Sequence, residues 1–171
     1  MTDFLTLNDC KYLYLDRYSE LGGNDLLLII EEGGVFQPPK PIEVVEGVTW
    51  DMSPIETLPS SRRFIVFFPR YLAYSVLNES YDCGKGTDEV FEGSIAAIYK
   101  KSYYLDYISE NSWASQLSEH PIHYGLYCAD HCVDIIAEEP PMVSESKVGD
   151  PMEYALEAFG KEHGRYLHYS I

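Results

Sequence analysis

The sequence predicts one α+β domain over residues 1–171: a mostly antiparallel, curved sheet of six to eight strands, barrel- or sandwich-like, with helices near 102–111 and 151–163. Three observations predict it. Short β-favouring runs follow one another through hairpin-length connections between Arg62 and Ile136, where a parallel sheet would need helices between its strands. Hydrophobic residues make up 46% of the 171, an ordinary share for a chain that builds one core. Helical start signals and helical spacing coincide in only two places.

Taken in order, Tyr12, Tyr14 and Tyr18 alternate loosely, so residues 9–18 read as a strand or a helix, broken at Gly22-Gly23-Asn24. Leu26 to Ile30 is short and continuously apolar, a buried strand that Gly33-Gly34 ends. After a proline-rich connection at 36–41, Ile42 to Trp50 reads as a strand with a bulge at Gly47. Residues 51–61 form a loop. Phe64 to Phe68 is apolar on both alternating faces and reads as a central strand closed by Pro69, with Tyr71 to Tyr81 as its antiparallel neighbour.

Residues 82–89 are an exposed turn-rich loop, and Ile95 to Tyr99 is the next strand. Ser102 then caps a short helix carrying Tyr104, Leu105 and Ile108. Ile122 to Cys128 and Cys132 to Ala137 form a hairpin. Pro140-Pro141 and residues 144–149 read as a polar linker before a helix announced by Asp150-Pro151-Met152-Glu153, with Asp150 as its cap. Met152, Ala155, Leu156, Phe159 and His163 give that helix one apolar face, Gly164 stops it, and Leu167, Tyr169 and Ile171 alternate as a last strand.

The charge narrows the function. Twelve basic residues against 28 acidic ones give −16, which repels nucleic acid and anionic membranes. Residues 1–60 carry 3 basic and 11 acidic groups, 61–120 carry 6 and 8, and 121–171 carry 3 and 9. The excess acid lies in the flanking thirds, where it suits solubility or a basic protein partner. The N-terminal residues show no signal-peptide pattern and the longest aliphatic run is Leu26 to Ile30, so a cytoplasmic protein is expected. Four cysteines in such a compartment are expected as thiols, not as a disulfide framework.

No catalytic signature is assembled. Cys128, His131 and Cys132 are the candidate metal ligands, but they lack the spacing of zinc knuckles and would need His123 or Cys83 to close a site, so no metal and no cofactor is expected. If 129–131 are the turn, Cys128 and Cys132 face each other at the strand ends. A thiol nucleophile activated by His123 or His131 and oriented by Asp134 would need a cationic setting that this acidic sequence does not supply. Gly84-Lys85-Gly86-Thr87 lacks the phosphate-loop pattern, and Asp82 to Gly93 lacks the calcium-loop acids. Glu79 with Asp106 is a chance pairing among 28 acids.

Tyr74 to Tyr81, Tyr99 to Tyr107 and His123 to Asp134 together resemble a family of uncharacterised small bacterial proteins, over about 60 central residues. The resemblance implies an acidic accessory or immunity-type protein of a toxin system, and it carries no catalytic or ligand residue. Two functions follow as expectations. The first is a non-enzymatic protein that masks a basic partner, with Trp50 and Trp113 as contact anchors. The alternative is a small hydrolase or ligand-binding protein with His123, Tyr124, Asp134 and a cysteine in a pocket under the 51–61 and 82–89 loops.

Overall fold

Two antiparallel sheets stack face to face in the computed structural model, which describes residues 3–82 and 84–163. The first sheet has the order β1 (Tyr12–Leu21), β2 (Asp25–Val35), β6 (Arg62–Phe68) and β12 (Met142–Lys147), with the two-residue β5 (Ile55–Glu56) on the far end of β2. The second has the order β7 (Tyr71–Asn78), β11 (His131–Ala137), β10 (Ile122–Tyr127), β9 (Ala96–Lys101) and β8 (Val90–Gly93). A separate hairpin pairs β3 (Lys40–Val45) with β4 (Val48–Met52). The result is a sandwich whose sheets do not close into a barrel, and the strands number twelve among the described residues, beyond the six to eight expected.

Alternation along the strands assigns each side chain to a layer. Leu26, Leu28 and Ile30 of β2 and Phe64, Val66 and Phe68 of β6 meet Tyr124 and Leu126 of β10 and Val133 and Ile135 of β11 in one core. Phe68 and Phe4 both set ring edges against Tyr124 at 5.4 Å between centroids. A 3-10 helix at Phe4–Asp9 inserts Phe4 and Leu7 at one end of this core. From that helix Asn8 donates to the Ala96 carbonyl and accepts from the Ser94 and Ala96 amides, which fixes where β9 begins.

Both outer faces carry helices. α3 (Met152–His163) lays Ala155, Leu156 and Phe159 on Leu27, Ile65 and Phe67, the other face of β2 and β6. That is why β2 and β6 read as continuous apolar runs. α1 (Tyr103–Asn111), capped by Ser102, lies over the outer face of the second sheet, and a one-turn α2 (Ala114–Leu117) follows it.

Several expectations are corrected. β7 does not pair with β6. Arg70, with φ of +51°, turns the chain out of the first sheet, its N–H bound by the Asp25 carboxylate, and β7 becomes an edge of the second sheet beside β11. β2 runs through Gly33-Gly34, because the Tyr14 ring lies over Gly33 where a Cβ would sit only 2.6 Å from it. Ile42 to Trp50 is two strands, with Gly47 at φ of +78° in the turn between them. Residues 142–147, read largely as linker, are edge strand β12 paired with β6. Asp150 accepts the Lys147 N–H with its carboxylate, so it closes a turn where a helix cap was expected. The expected Gly164 stop and the last strand at Leu167, Tyr169 and Ile171 lie outside the described residues.

Candidate functional site

The outer face of the second sheet collects a polar and aromatic cluster. His123 and Tyr127 project from β10, Asp134 from β11 and Tyr99 from β9, all at outward positions, and α1 covers them with Ser102 and Tyr104. His123 Nε2 lies 2.9 Å from Asp134 Oδ1, and His123 Nδ1 lies 2.7 Å from Ser102 Oγ. Tyr99 stacks on the imidazole at 4.3 Å and 15°. Its hydroxyl meets that of Tyr127, which in turn points at Asp134 Oδ1 from 3.5 Å. Gly125 makes this reach possible, since a Cβ there would sit 2.6 Å from the Tyr127 oxygen.

The hydrogen-bond directions follow from Asp134, whose carboxylate can only accept. The imidazole proton facing Asp134 is therefore on Nε2, which leaves Nδ1 to accept from Ser102 Oγ, while that oxygen accepts the Leu105 N–H at 3.0 Å. Ser, His and Asp thus stand in line, in the residue types of a nucleophilic triad. The burial argues against that chemistry. Ser102 is 1% exposed and is committed to a helix cap, so no substrate carbonyl can approach its oxygen. Asp134, at 27% side-chain exposure, is the member of the line that water reaches.

Burial raises the phenols here. Tyr99 is pushed up to about 12, with Glu89 and Asp134 adding to the effect, and Tyr127 is pushed up further by burial and by Tyr99. Lys85 sits 4.1 Å over the Phe91 ring and 4.7 Å over the Tyr127 ring while donating to the Ser94 carbonyl, and its desolvation lowers its pKa.

The residues singled out from sequence are partly brought together. His123 and Asp134 converge, but Tyr124, expected beside them, faces the opposite way into the inner core. Cys128 and Cys132 do not face each other: Cys132 pairs with Tyr127 in register, Cys128 N–H bonds to His131, and the two thiols lie on opposite faces of the sheet. Burial raises Cys128 and holds Cys132 up to about 12, with Asp82 and Asp134 adding at Cys132, which is the reverse of nucleophile activation. His131 Nδ1 lies 3.1 Å from the carboxylate of its neighbour Asp130. Among the described residues no group of three His, Cys, Asp or Glu side chains is placed to hold a metal ion.

The 51–61 and 82–89 loops have different neighbours. Ile55 borders an open groove of about 310 Å³ with Lys11, Tyr12, Glu79, Ile95, Cys128 and the cluster's Tyr127, while His123 and Asp134 are not among its lining residues. Lys85 and Glu89 of the other loop border the outer cluster and the start of α1, where Glu89 accepts the Tyr103 N–H. Trp50 and Trp113 are 58% and 69% exposed. Tyr99, Tyr127 and the Ser102 link to His123 were missed by sequence reasoning. Their signal is positional, because they are outward residues of adjacent strands, and it becomes readable only once the register is known.

The fold and this cluster define an antiparallel β-sandwich with helices on both faces and a closed polar network under α1. No family model, no curated protein and no solved structure matches the chain. No helix among the described residues is long and apolar enough to cross a membrane.

Proposed function

We propose that this protein is a non-enzymatic binder that masks a basic partner protein in the bacterial cytoplasm, in the manner of the immunity or accessory proteins its central motifs resemble. The observation that carries the reading is the net charge of −16, concentrated in the flanking thirds of the chain. Such a field attracts a basic partner over several ångströms, speeds encounter and weakens with salt. The closed state of the Ser102–His123–Asp134 line supports it from the other side, since the groups best suited to catalysis are spent on one another and on a helix cap.

The test is affinity capture from the source cells at low and at high salt, with identification of what elutes. A basic protein held at low salt and released at high salt is the expected result. Recovery of nothing basic at low salt overturns the proposal. The second reading, a hydrolase or ligand-binding protein using His123, Asp134 and a cysteine, draws on the 2.9 Å His123–Asp134 contact. Ester or amide turnover abolished by His123→Gln, in a variant that still folds, would establish it over the first.

A further inference from the structure

The β3–β4 hairpin is apolar where a solvent-exposed hairpin should be polar. Ile42 stands opposite Trp50, Val45 opposite Val48, and Met52 follows Trp50 on the same side, the bulge between Glu43 and Val45 having returned Val45 to that face. Every residue of both strands is exposed, Trp50 at 58% and Val45 at 62%. Neither strand joins either sheet of the sandwich. An isolated two-stranded hairpin is marginal in water, and a continuous apolar face of this kind on a charged protein marks a contact surface.

The charges around the face select its occupant. The hairpin carries Glu43, Glu46 and Asp51 against Lys40, which stands opposite Met52 at the end of the apolar face and is tied back to Gln37. Glu43 and Asp51 project from the reverse face, and Glu46 sits at the tip beside Gly47. A second copy of this chain would bring like charges together on both partners, which costs association. A basic partner whose rim reaches past the apolar face meets Glu46 at the tip and the reverse-face acids at the hairpin's edges, in the field of a chain whose net charge is −16.

We propose that the β3–β4 hairpin is the arm by which the protein grips its basic partner, the Ile42, Val48 and Trp50 face entering an apolar slot whose rim carries lysine and arginine. The inference rests on the masking function and names its surface. Trp50 is the anchor, since a large aromatic desolvated at the centre of a contact supplies more binding energy than its neighbours.

The test uses the full chain with Trp113→Phe, so that Trp50 is the sole tryptophan, and two synthetic helical peptides of equal positive charge. One is amphipathic, built of leucine and lysine; the other is built of serine and lysine. At low salt the leucine peptide is expected to shift Trp50 emission to the blue and to bind at least about tenfold more tightly than the serine peptide, an advantage lost in Ile42→Ser/Val48→Ser. Equal binding of both peptides with unmoved Trp50 emission would overturn the hairpin assignment while leaving the acidic binder intact. Binding of neither would overturn both. A blue shift that grows with protein concentration alone, with a dimer in sedimentation, would make a second copy the occupant and contradict the proposal.

Discussion

Ser102 Oγ lies 2.7 Å from His123 Nδ1 and accepts the Leu105 N–H at 3.0 Å, so a single hydroxyl both starts helix α1 and satisfies a buried imidazole. Ser102→Ala removes the cap and strands the Nδ1 atom. The combined cost is about 2 kcal/mol, which for a chain of this size lowers Tm by roughly 4–8 °C. A thermal melt within a degree of the parent would show that the link carries no stability.

On the other face, Phe159 is fully buried against Phe67 at 5.8 Å between ring centroids. Phe159→Ala should cost about 3 kcal/mol in denaturant unfolding, the range for deleting a buried aromatic. An unchanged midpoint would mean that α3 does not dock through this residue.

Arg63 holds the approach to α3. Its guanidinium pairs with Glu31 at 3.2 Å and donates to the carbonyls of Val148 and Asp150 at 2.7 and 3.0 Å, with only 8% of the side chain exposed. Arg63→Ala takes the guanidinium donor from a half-buried carboxylate and two carbonyls, so a loss of about 2 kcal/mol is expected. Arg63→Lys should restore only part of it, because an ammonium lacks the fork that reaches all three acceptors. Full stability of the lysine variant would contradict this geometry.

Stability should fall in alkali. Burial holds Tyr99 and Tyr124 up to about 12 from an ordinary 10.0, and Cys132 up to about 12 from 9.0. These folded-state values lie above those of the unfolded chain, which therefore loses its protons first as pH rises. Stability is whole below about pH 9 and is lost progressively toward pH 12, a window set by the cited shifts. Phenol absorbance followed together with circular dichroism should show buried tyrosines ionising as the fold opens. Tyrosine ionisation completed near pH 10 in a folded protein would contradict it.

Local chemistry made some of this readable and hid the rest. The β10–β11 hairpin is legible because two β-favouring runs flank a three-residue connection, and α1 and α3 because a capping serine or helical spacing marks them. β12 was hidden by Ser144, Glu145 and Ser146, polar residues suited to an edge. The partner of β7 was hidden because pairing with β11 is non-local, while the short Pro69-Arg70 connection looks like a hairpin turn. At the site, His123 and Asp134 stand out by type, but Tyr124 looks as near to them as Tyr127 does until alternation sends one inward and the other outward. The hairpin's β residues were legible too. The exposure of every one of them was not, because apolar strands ordinarily read as buried.

The central claim is that acidic attraction brings a basic partner to this protein, and the association rate constant measured against ionic strength tests it most directly. With the captured partner, the account predicts a rate that falls by roughly tenfold or more from low salt to high salt while dissociation changes little. An association rate indifferent to salt would contradict it.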